Sequence, residues 1–352
     1  MKVSIGMRLQ PGPWGGGNQF GHALASYLRK KHVEVCFDLN DRNIDIILLA
    51  EPRRELRISA YNDHDIVKYL LKTRSHALVV HRVNECDERK GTSTVNARLR
   101  RAARCADHTV FVSEWLRDLH LKQGFPCREH SVIRNGSDTT VFSPDGYRPW
   151  NGTEPLRLVT HHWSSHPMKG FALYKRIDDL LEQGRMGGAI SYTYIGNLPE
   201  GFSFRRARYL PPLSGHALAA ELRRHHVYVT ASVNEPGPHH VNEAACCGLP
   251  LLYLKSGAVL EYCDGFGIAF TEANFEDKLK EMMLSYHTFV ARMPNFPLTA
   301  NAMCAQYETL FQNLIMRRDE LIKRRHWLQH PLWLLRMLCS GDSSNRDVPC
   351  PK

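Results

Sequence analysis

The sequence predicts an α/β protein in which two doubly wound domains face each other across a cleft. Its 352 residues are enough for two domains of roughly 100–200 residues each. Short apolar, β-branched runs alternate with amphipathic helical stretches along most of the chain, which favours parallel sheets with helices on both faces. The alternation pauses at residues 143–155, where three prolines and two glycines indicate a linker.

The predicted elements fall into two halves of similar size. In the first half a helix over residues 19–29 follows a glycine loop, and strands are expected at residues 3–7, 33–37, 44–50, 77–83 and 108–113. In the second half strands are expected at residues 156–162, 190–195, 227–231 and 251–254. We therefore divide the chain into a domain of residues 1–148 and a domain of residues 149–325. Ligands of such sheets bind beyond the carboxyl ends of the strands, so two facing edges form the cleft.

The last part of the chain predicts helices over residues 300–325 and 330–338. We expect a C-terminal helix at about residues 326–340 to pack back on the first domain. The alternative is an amphipathic helix on a membrane surface, because the segment MRRDELIKRRHWLQHPLWLLRML combines a basic cluster with Trp327, Trp333 and several leucines.

The composition restricts the partners and the compartment. The formal net charge of +10 suits an anionic partner, which would be nucleic acid, an acidic membrane or a phosphorylated small molecule. Interleaved basic and aromatic motifs are missing, so no nucleic-acid partner is predicted. The ten cysteines form no CxxC pair, which indicates reduced thiols. With neither a signal-like start nor about 18 consecutive apolar residues, we expect a cytoplasmic protein, with peripheral membrane contact as an option.

The strongest motif is the string NEPGPHHVNEAACCGLP, which follows the predicted strand at residues 227–231. Glu235 stands at the strand end, Gly237 allows a sharp turn, and a helix starts near His239 or His240. The free N–H groups of that helix start form an anion site suited to a diphosphate. Glu235 can accept hydrogen bonds from sugar hydroxyls and Glu243 from ribose hydroxyls. The alternative is that Glu235 caps the helix and Glu243 is a solvated surface residue.

This string resembles the signature of retaining GT-B-type glycosyltransferases of the family 4, or group 1, type. The resemblance rests on a glutamate pair separated by seven residues and on the residues that follow it, namely Glu235, Glu243, Ala244, Gly248, Pro250, Gly257 and Glu261. It implies two Rossmann-like domains, the first for the acceptor and the second for a nucleotide-diphosphate sugar. It also implies a metal-independent retaining hexosyltransferase without a cofactor, whose acceptor is a glycan or a lipid-linked sugar.

The resemblance assigns roles to residues of the string. Glu235 would hold the sugar and Glu243 the ribose. The N–H groups near His239, His240 and Val241 would stabilise the departing diphosphate. Alternatives outside this class are a basic binding protein without catalysis and a GT-B-like phosphorylase or epimerase. A phosphorylase would carry pyridoxal phosphate on a lysine.

A second motif, LVTHHWSSHPMKGF, places Lys169 at the start of a helix after the predicted strand at residues 156–162. A lysine there can pair with a phosphate, although an ordinary surface lysine is the alternative. In the family this lysine binds the donor diphosphate beside an arginine five residues earlier. That position is Ser164 here, so we expect a nearby histidine or arginine to substitute.

Three further segments complete the predicted cleft. Gly16 and Gly17 belong to a triple-glycine loop that resembles the family's first glycine loop, although a flexible loop is the alternative. Gly196 follows a strand and would border the base. His81 lies in the polar segment VVHRVNECDERKGT, and we predict that it contacts the acceptor, a solvated loop being the alternative.

One short sequence, Asp63-His64-Asp65, spells the DxD metal motif of a different glycosyltransferase fold. Its acids suit the first turn of a capped helix, so we predict no metal site.

Overall fold

The computed structural model describes residues 1–12, 15–73 and 75–325, together with residues 332 and 334. These residues form two parallel six-stranded sheets, each covered by helices on both faces. The predicted class of two doubly wound α/β sheets is confirmed. Within the described residues, no helix has the length and apolar character needed to cross a membrane.

The first sheet has the strand order β2-β1-β3-β4-β5-β6. Its strands are β1 (Lys2–Ile5), β2 (Glu34–Cys36), β3 (Ile46–Leu49), β4 (Leu78–Val83), β5 (His108–Phe111) and β6 (His130–Val132). The central strands β3, β4 and β5 are buried along their whole length, which explains why β-branched and apolar residues predominate in them. The helices between them are α1 (Gly16–Lys30), α2 (Asp63–Thr73), α3 (Asp87–Lys90), α4 (Val95–Ala102) and α5 (Glu114–Lys122).

The second sheet has the order β12-β11-β10-β7-β8-β9. Its strands are β7 (Leu156–His162), β8 (Ile190–Gly196), β9 (Arg208–Leu210), β10 (Val227–Thr230), β11 (Leu251–Leu254) and β12 (Gly267–Phe270). Its helices are α6 (Phe171–Glu182), α7 (Gly215–Leu222), α8 (His239–Cys246), α9 (Val259–Cys263) and α10 (Phe275–Val290). In both sheets the strand order reverses beside the first strand of the unit, which creates a crevice at the carboxyl edge.

The chain passes between the two sheets at two adjacent points. Ser137 pairs with Thr299 in a parallel bridge, and the N–H of Ala300 donates to the carbonyl of Ser137 at 2.8 Å. Gly136 keeps this crossing tight, because a Cβ there would lie 2.1 Å from the carbonyl oxygen of Thr299. We call residues 1–136 with 300–325 the first unit, and residues 138–298 the second unit.

The last two described helices belong to the first unit. α11 (Ala300–Met316) and α12 (Arg318–Lys323) follow the second crossing, and side chains such as Tyr307 and Phe311 are buried in one core with β1, β3 and β4. The second domain predicted from the sequence, residues 149–325, includes these helices. That assignment needs correction, because their apolar faces pack on α1 and the first sheet.

Other differences concern short or terminal elements. The strands β6, β9 and β12 were not predicted, and they have three or four residues each. The predicted C-terminal helix at residues 326–340 lies outside the described residues, except that Leu334 packs against the apolar cluster beneath β3 of the first unit. The cysteines in the described part of the chain are free thiols.

Candidate active site between the two units

A cavity of about 490 Å³ separates the carboxyl edges of the two sheets. Its floor on the second unit comes from the ends of β7 and β8 and the loop after β10. Its wall on the first unit comes from the loop after β1 and the segment after β4. Both sheets therefore turn their ligand-binding edges to the same space, as predicted for a cleft.

A carboxylate held between two cations lies at the bottom of this cavity. Glu235 Oε2 accepts from Lys169 Nζ at 2.8 Å and lies 3.2 Å from Arg89 Nε. Each of the three residues is less than a tenth exposed. Lys169 and Glu235 belong to the second unit, whereas Arg89 reaches across from α3 of the first unit. Two buried positive charges thus meet a single negative charge.

The pKa values in this cluster follow from burial and from the neighbouring charges. Burial alone would raise the pKa of Glu235, but the nearby Lys169 and Arg89 outweigh it and hold that pKa well below its usual range. Burial lowers the pKa of Lys169, while Glu235 opposes this effect. The cluster therefore keeps a carboxylate ionised in a largely dehydrated site.

Two loops of the second unit position the pair. The N–H of Val233 donates to the carbonyl of Met168 at 2.8 Å, which joins the loop after β10 to the turn that carries Lys169. Asn234 adopts a left-handed backbone with φ of 50°, and its side chain donates to the carbonyl of Glu88 in the first unit. This conformation directs Glu235 into the cavity.

The helix α8 begins directly after this loop. Pro238 is its N-cap, and the backbone N–H groups of its first turn, from His239 to Val241, have no partner within the helix. One turn further on, Glu243 Oε2 lies 2.6 Å from His161 Nε2, and its Oε1 makes no hydrogen bond with any described residue. Burial would raise the pKa of Glu243, but His161 outweighs it and lowers that pKa.

Neutral histidines surround the helix start. His240 Nε2 lies 3.0 Å from the hydroxyl of Thr230, and His162 Nε2 lies 2.7 Å from the hydroxyl of Tyr174. Burial lowers the pKa of both rings well below the usual range. Burial also lowers the pKa of His239 to about 4. At neutral pH these rings are uncharged, so they donate or accept hydrogen bonds without adding charge.

The glycine loop of the first unit closes the cavity over α8. A Cβ at Gly16 would lie 2.2 Å from His239 Cδ2, so the backbone of this loop touches the ring across the cleft. The side chain of Asn84 lies near Gly17, since a Cβ there would be 3.8 Å from Asn84 Nδ2. The absence of side chains at this point allows the close approach.

Comparisons with known proteins identify this architecture. No protein-family model matches the sequence, and no curated protein sequence matches it. Two solved structures, the sucrose-phosphate synthase from Thermosynechococcus elongatus and the lipopolysaccharide outer core galactosyltransferase WaaB, each give a TM-score of 0.63 at 12% identity over 90% of this chain and 99% of theirs. HepE from Anabaena, solved with UDP and glucose, gives 0.55 at 14% identity over 94% and 99%. These neighbours are GT-B glycosyltransferases.

This chain has the GT-B fold. Most of the predicted site residues line the cleft of this GT-B structure. They are Gly16, Gly17, Ser164, Lys169, Gly196, Glu235, Gly237, His239, His240 and Glu243. Val241 differs from these, because its side chain is buried in the core of the second unit and only its N–H belongs to the helix start.

The prediction for His81 needs correction. Its side chain is fully buried and stacks on Phe125, with ring centroids 6.1 Å apart, and it does not line the GT-B cleft. Burial lowers its pKa to about 3, which keeps the ring neutral. Successive residues of a strand point to opposite faces, so the neighbouring Arg82 lines the cleft instead.

Sequence reasoning missed the cationic residues of the first unit. Arg82 is buried, places its guanidinium 3.9 Å from the ring centroid of Phe20, and donates to Asn135 Oδ1 at 2.8 Å. Arg89 belongs to the polar segment that carries His81 but was given no role, and its contact with Glu235 joins two segments far apart in sequence. The period of two along β4 was the signal that could have selected Arg82 over His81.

No group of three or more metal-binding side chains occurs among the residues that the structure describes. In the DxD sequence, Asp63 is buried 3.2 Å from Arg101 Nε, and Asp65 Oδ2 accepts from the N–H of Asn62. Both acids lie in the first turn of α2, where carboxylates stabilise a helix start.

Proposed function

We propose that this protein is a glycosyltransferase that moves a hexose, with retention, from a nucleotide-diphosphate sugar to a glycan or a lipid-linked acceptor. The observation that carries this proposal is the buried cluster of Glu235, Lys169 and Arg89 beside the start of α8. Support also comes from the solved neighbours, which include HepE with UDP and glucose.

The diphosphate would bind between the helix start and the two cations. Lys169 and Arg89 share one carboxylate, so the cluster carries an excess positive charge that a phosphate can neutralise. The N–H groups at the start of α8 supply further donors to phosphate oxygens. We propose that Arg89 takes the place of the arginine that the family has at the position of Ser164.

The remaining polar groups would orient the sugar and the nucleoside. Glu235 would accept hydrogen bonds from sugar hydroxyls, and Glu243 Oε1, which is unpartnered among the described residues, would accept from the ribose. Gly196, at the end of β8, and Leu213 both line the cleft, and this end would receive the base.

The reaction would develop negative charge on the departing diphosphate. Lys169, Arg89 and the positive end of α8 are fixed where that charge arises, so they stabilise it with little rearrangement. The carboxylates lining the cavity are already engaged, Glu235 by two cations, Glu243 by His161 and Glu85 by Lys90 at 2.9 Å. We therefore propose that the acceptor attacks on the face of the departing group, with a donor phosphate oxygen taking its proton.

A binding screen followed by product analysis tests the proposal. We expect one nucleoside diphosphate and its sugar to raise the melting temperature, because a ligand of the folded state stabilises it. With that donor and an acceptor found by screening, NMR should show that the anomeric configuration is kept. Lys169→Ala should lose at least about 100-fold in kcat, whereas Lys122→Ala, on an exposed helix end, should match the wild type. No response to any common sugar nucleotide, or an inverted product, would refute the proposal.

The proposed acceptor would bind on the side of the cleft that the first unit forms. Arg82, Asn84 and Glu85 of the first unit face the donor pocket and would meet the acceptor hydroxyl. Contact with an acidic membrane was predicted for a basic cluster that accompanies Trp327 and Trp333, and both tryptophans lie outside the described residues. The arginines of that cluster are described, and Arg317, Arg318 and Arg325 pair with Glu129, Asp45 and Asp107 of the first unit.

A further inference from the structure

A second cavity lies at the opposite edge of the second sheet. Its volume is about 880 Å³, larger than that of the cleft. Its walls come from the amino-terminal ends of β7 and β8, the segment leading into β9, the turn after α7 and the loop near Gly146. The strand β8 joins the two sites, since Ser191 and Thr193 line this cavity and Gly196 lines the cleft.

Arginines dominate the lining of this cavity. Six of them contribute, and no aspartate or glutamate does; they are Arg148, Arg157, Arg206, Arg208, Arg223 and Arg224. Behind the lining, Glu221 binds Arg208 at 2.6 Å and Arg224 at 3.1 Å, and Glu154 pairs with Arg157. Arg148 and Arg206 are exposed and form no ion pair with any described residue. Positive charge is therefore concentrated here without enough carboxylates to neutralise it.

We propose that this arginine cavity binds a small molecule that carries two or more phosphate groups. Guanidinium groups bind phosphate through two parallel hydrogen bonds, so several of them around one concave space select for more than one phosphate. The volume lies within the range of ordinary small-molecule sites.

A small ligand fits this surface better than a nucleic acid does. Single-stranded nucleic acid needs exposed aromatic rings on which bases stack. The aromatic residue of the lining, Tyr192, is only 2% exposed and packs inside the second unit. The inference does not depend on the proposed transfer reaction, because none of the residues lining this cavity lines the cleft.

Calorimetric titration of the full chain with inorganic tripolyphosphate tests the proposal. We expect saturable binding that weakens with added salt. The double variant Arg148→Gln/Arg206→Gln should bind at least about tenfold more weakly, since two charge-assisted contacts are lost. Both side chains lack ion pairs within the described residues, so the variant should fold normally. The control Arg42→Gln/Lys122→Gln removes two exposed charges from the first unit and should bind like the wild type.

Tripolyphosphate can also enter the cleft, so the titrations are repeated in the Lys169→Ala variant. Binding that persists there, and that the two arginine substitutions weaken, assigns the site to the arginine cavity. Binding that is abolished by Lys169→Ala and unaffected by the arginine substitutions would overturn the proposal.

Two further arms identify the source of the phosphate. Phosphatidylcholine vesicles with and without phosphatidylinositol bisphosphate test a lipid headgroup that carries more than one phosphate, and tripolyphosphate should displace the protein from the acidic vesicles if the headgroup occupies this cavity. No vesicle binding indicates a soluble phosphate compound. Single-stranded RNA that binds through Arg148 and Arg206, and that tripolyphosphate fails to displace, would overturn the proposal.

Discussion

The two walls of the cleft are built differently. On the second unit, Lys169, Glu235 and His161 belong to adjacent loops and strand ends that hydrogen-bond to each other. On the first unit, Arg89 lies on the four-residue helix α3, and Gly16, which has no side chain, is the first residue of α1. The side chains of the second unit's wall are held by contacts within that unit. Arg89 and Gly16 of the first unit's wall instead make their contacts in the cleft with residues of the second unit. If the proposed donor binds in this cleft, substitutions in the two walls should therefore affect its binding differently.

Lowering the pH should have the largest effect on the free energy of unfolding, and most of the histidines responsible lie in the second unit. Burial lowers the pKa of histidines that are neutral in the folded state, namely His81, His108 and His120 of the first unit and His162, His225, His226, His239 and His240 of the second. Their pKa values rise on unfolding, so the unfolded chain binds more protons as the pH falls below the ordinary histidine value of about 6.5.

Each such histidine removes roughly 1 kcal/mol of unfolding free energy between about pH 7 and about pH 5.5. Together the eight should lower it by roughly 8 kcal/mol if their contributions add, which urea titrations followed by circular dichroism will measure. The paired carboxylates add nothing in this window, because their lowered pKa values matter only below the ordinary carboxyl range. Equal stability at both pH values would contradict the burial of these rings.

Glu235→Gln tests whether the two walls depend on one carboxylate. The substitution leaves Lys169 and Arg89 buried without their counter-charge, so the free energy of unfolding should fall by about 3–5 kcal/mol. Urea denaturation measures it, and Glu200→Gln, at an exposed loop, is the matched control. If both variants unfold alike, Glu235 is hydrated and the cluster does not join the walls.

Arg89→Gln tests how much the first unit's wall contributes to the affinity for the proposed donor. Loss of one charge-assisted contact should weaken donor binding by about 1.5–3 kcal/mol, while the contact between Lys169 and Glu235 stays in place. Calorimetric titration with the nucleotide identified by screening measures the loss. Arg100→Gln, on α4 outside the cleft lining, is the control. Unchanged donor affinity would show that the second wall suffices.

Gly16→Ala disturbs only the contact between the glycine loop and α8, and of these changes it should have the smallest effect. Its Cβ would clash with His239, which should cost about 1–3 kcal/mol and lower kcat/KM by roughly tenfold to 100-fold. Gly15→Ala is a close control, because a Cβ at Gly15 meets no atom within 4 Å. Equal kinetics for the two variants would mean that the loop and α8 do not touch in solution.

The two walls also differ in how far sequence could predict them. The second wall follows from local order, since a strand, a Pro-Gly-Pro loop and a helix start place Glu235 and Glu243 within nine consecutive residues. The first wall depends on contacts across the chain. The meeting of Arg89 with Glu235, and of Gly16 with His239, requires the relative position of the two units, which no local pattern contains.

The difference between local patterns and distant contacts also explains the errors in the predicted fold. The strands β3, β4, β7, β10 and β11 were predicted because their apolar runs are long and buried on both faces. The edge strands β6 and β9 have polar, partly exposed sequences, so their pairing is decided by the neighbouring strand. The assignment of α11 to the second unit failed because an apolar helix face does not specify which sheet it covers.

The paired crossing at Ser137 and Thr299 makes the second unit an insertion within the first. The backbone enters and leaves that insert through hydrogen-bonded neighbours, so a short glycine linker from 137 to 299 could replace all of residues 138–298. Such a miniature should keep the first sheet and its covering helices. A fragment truncated at 298 would instead leave the apolar face of α1 bare and aggregate, since that face needs α11.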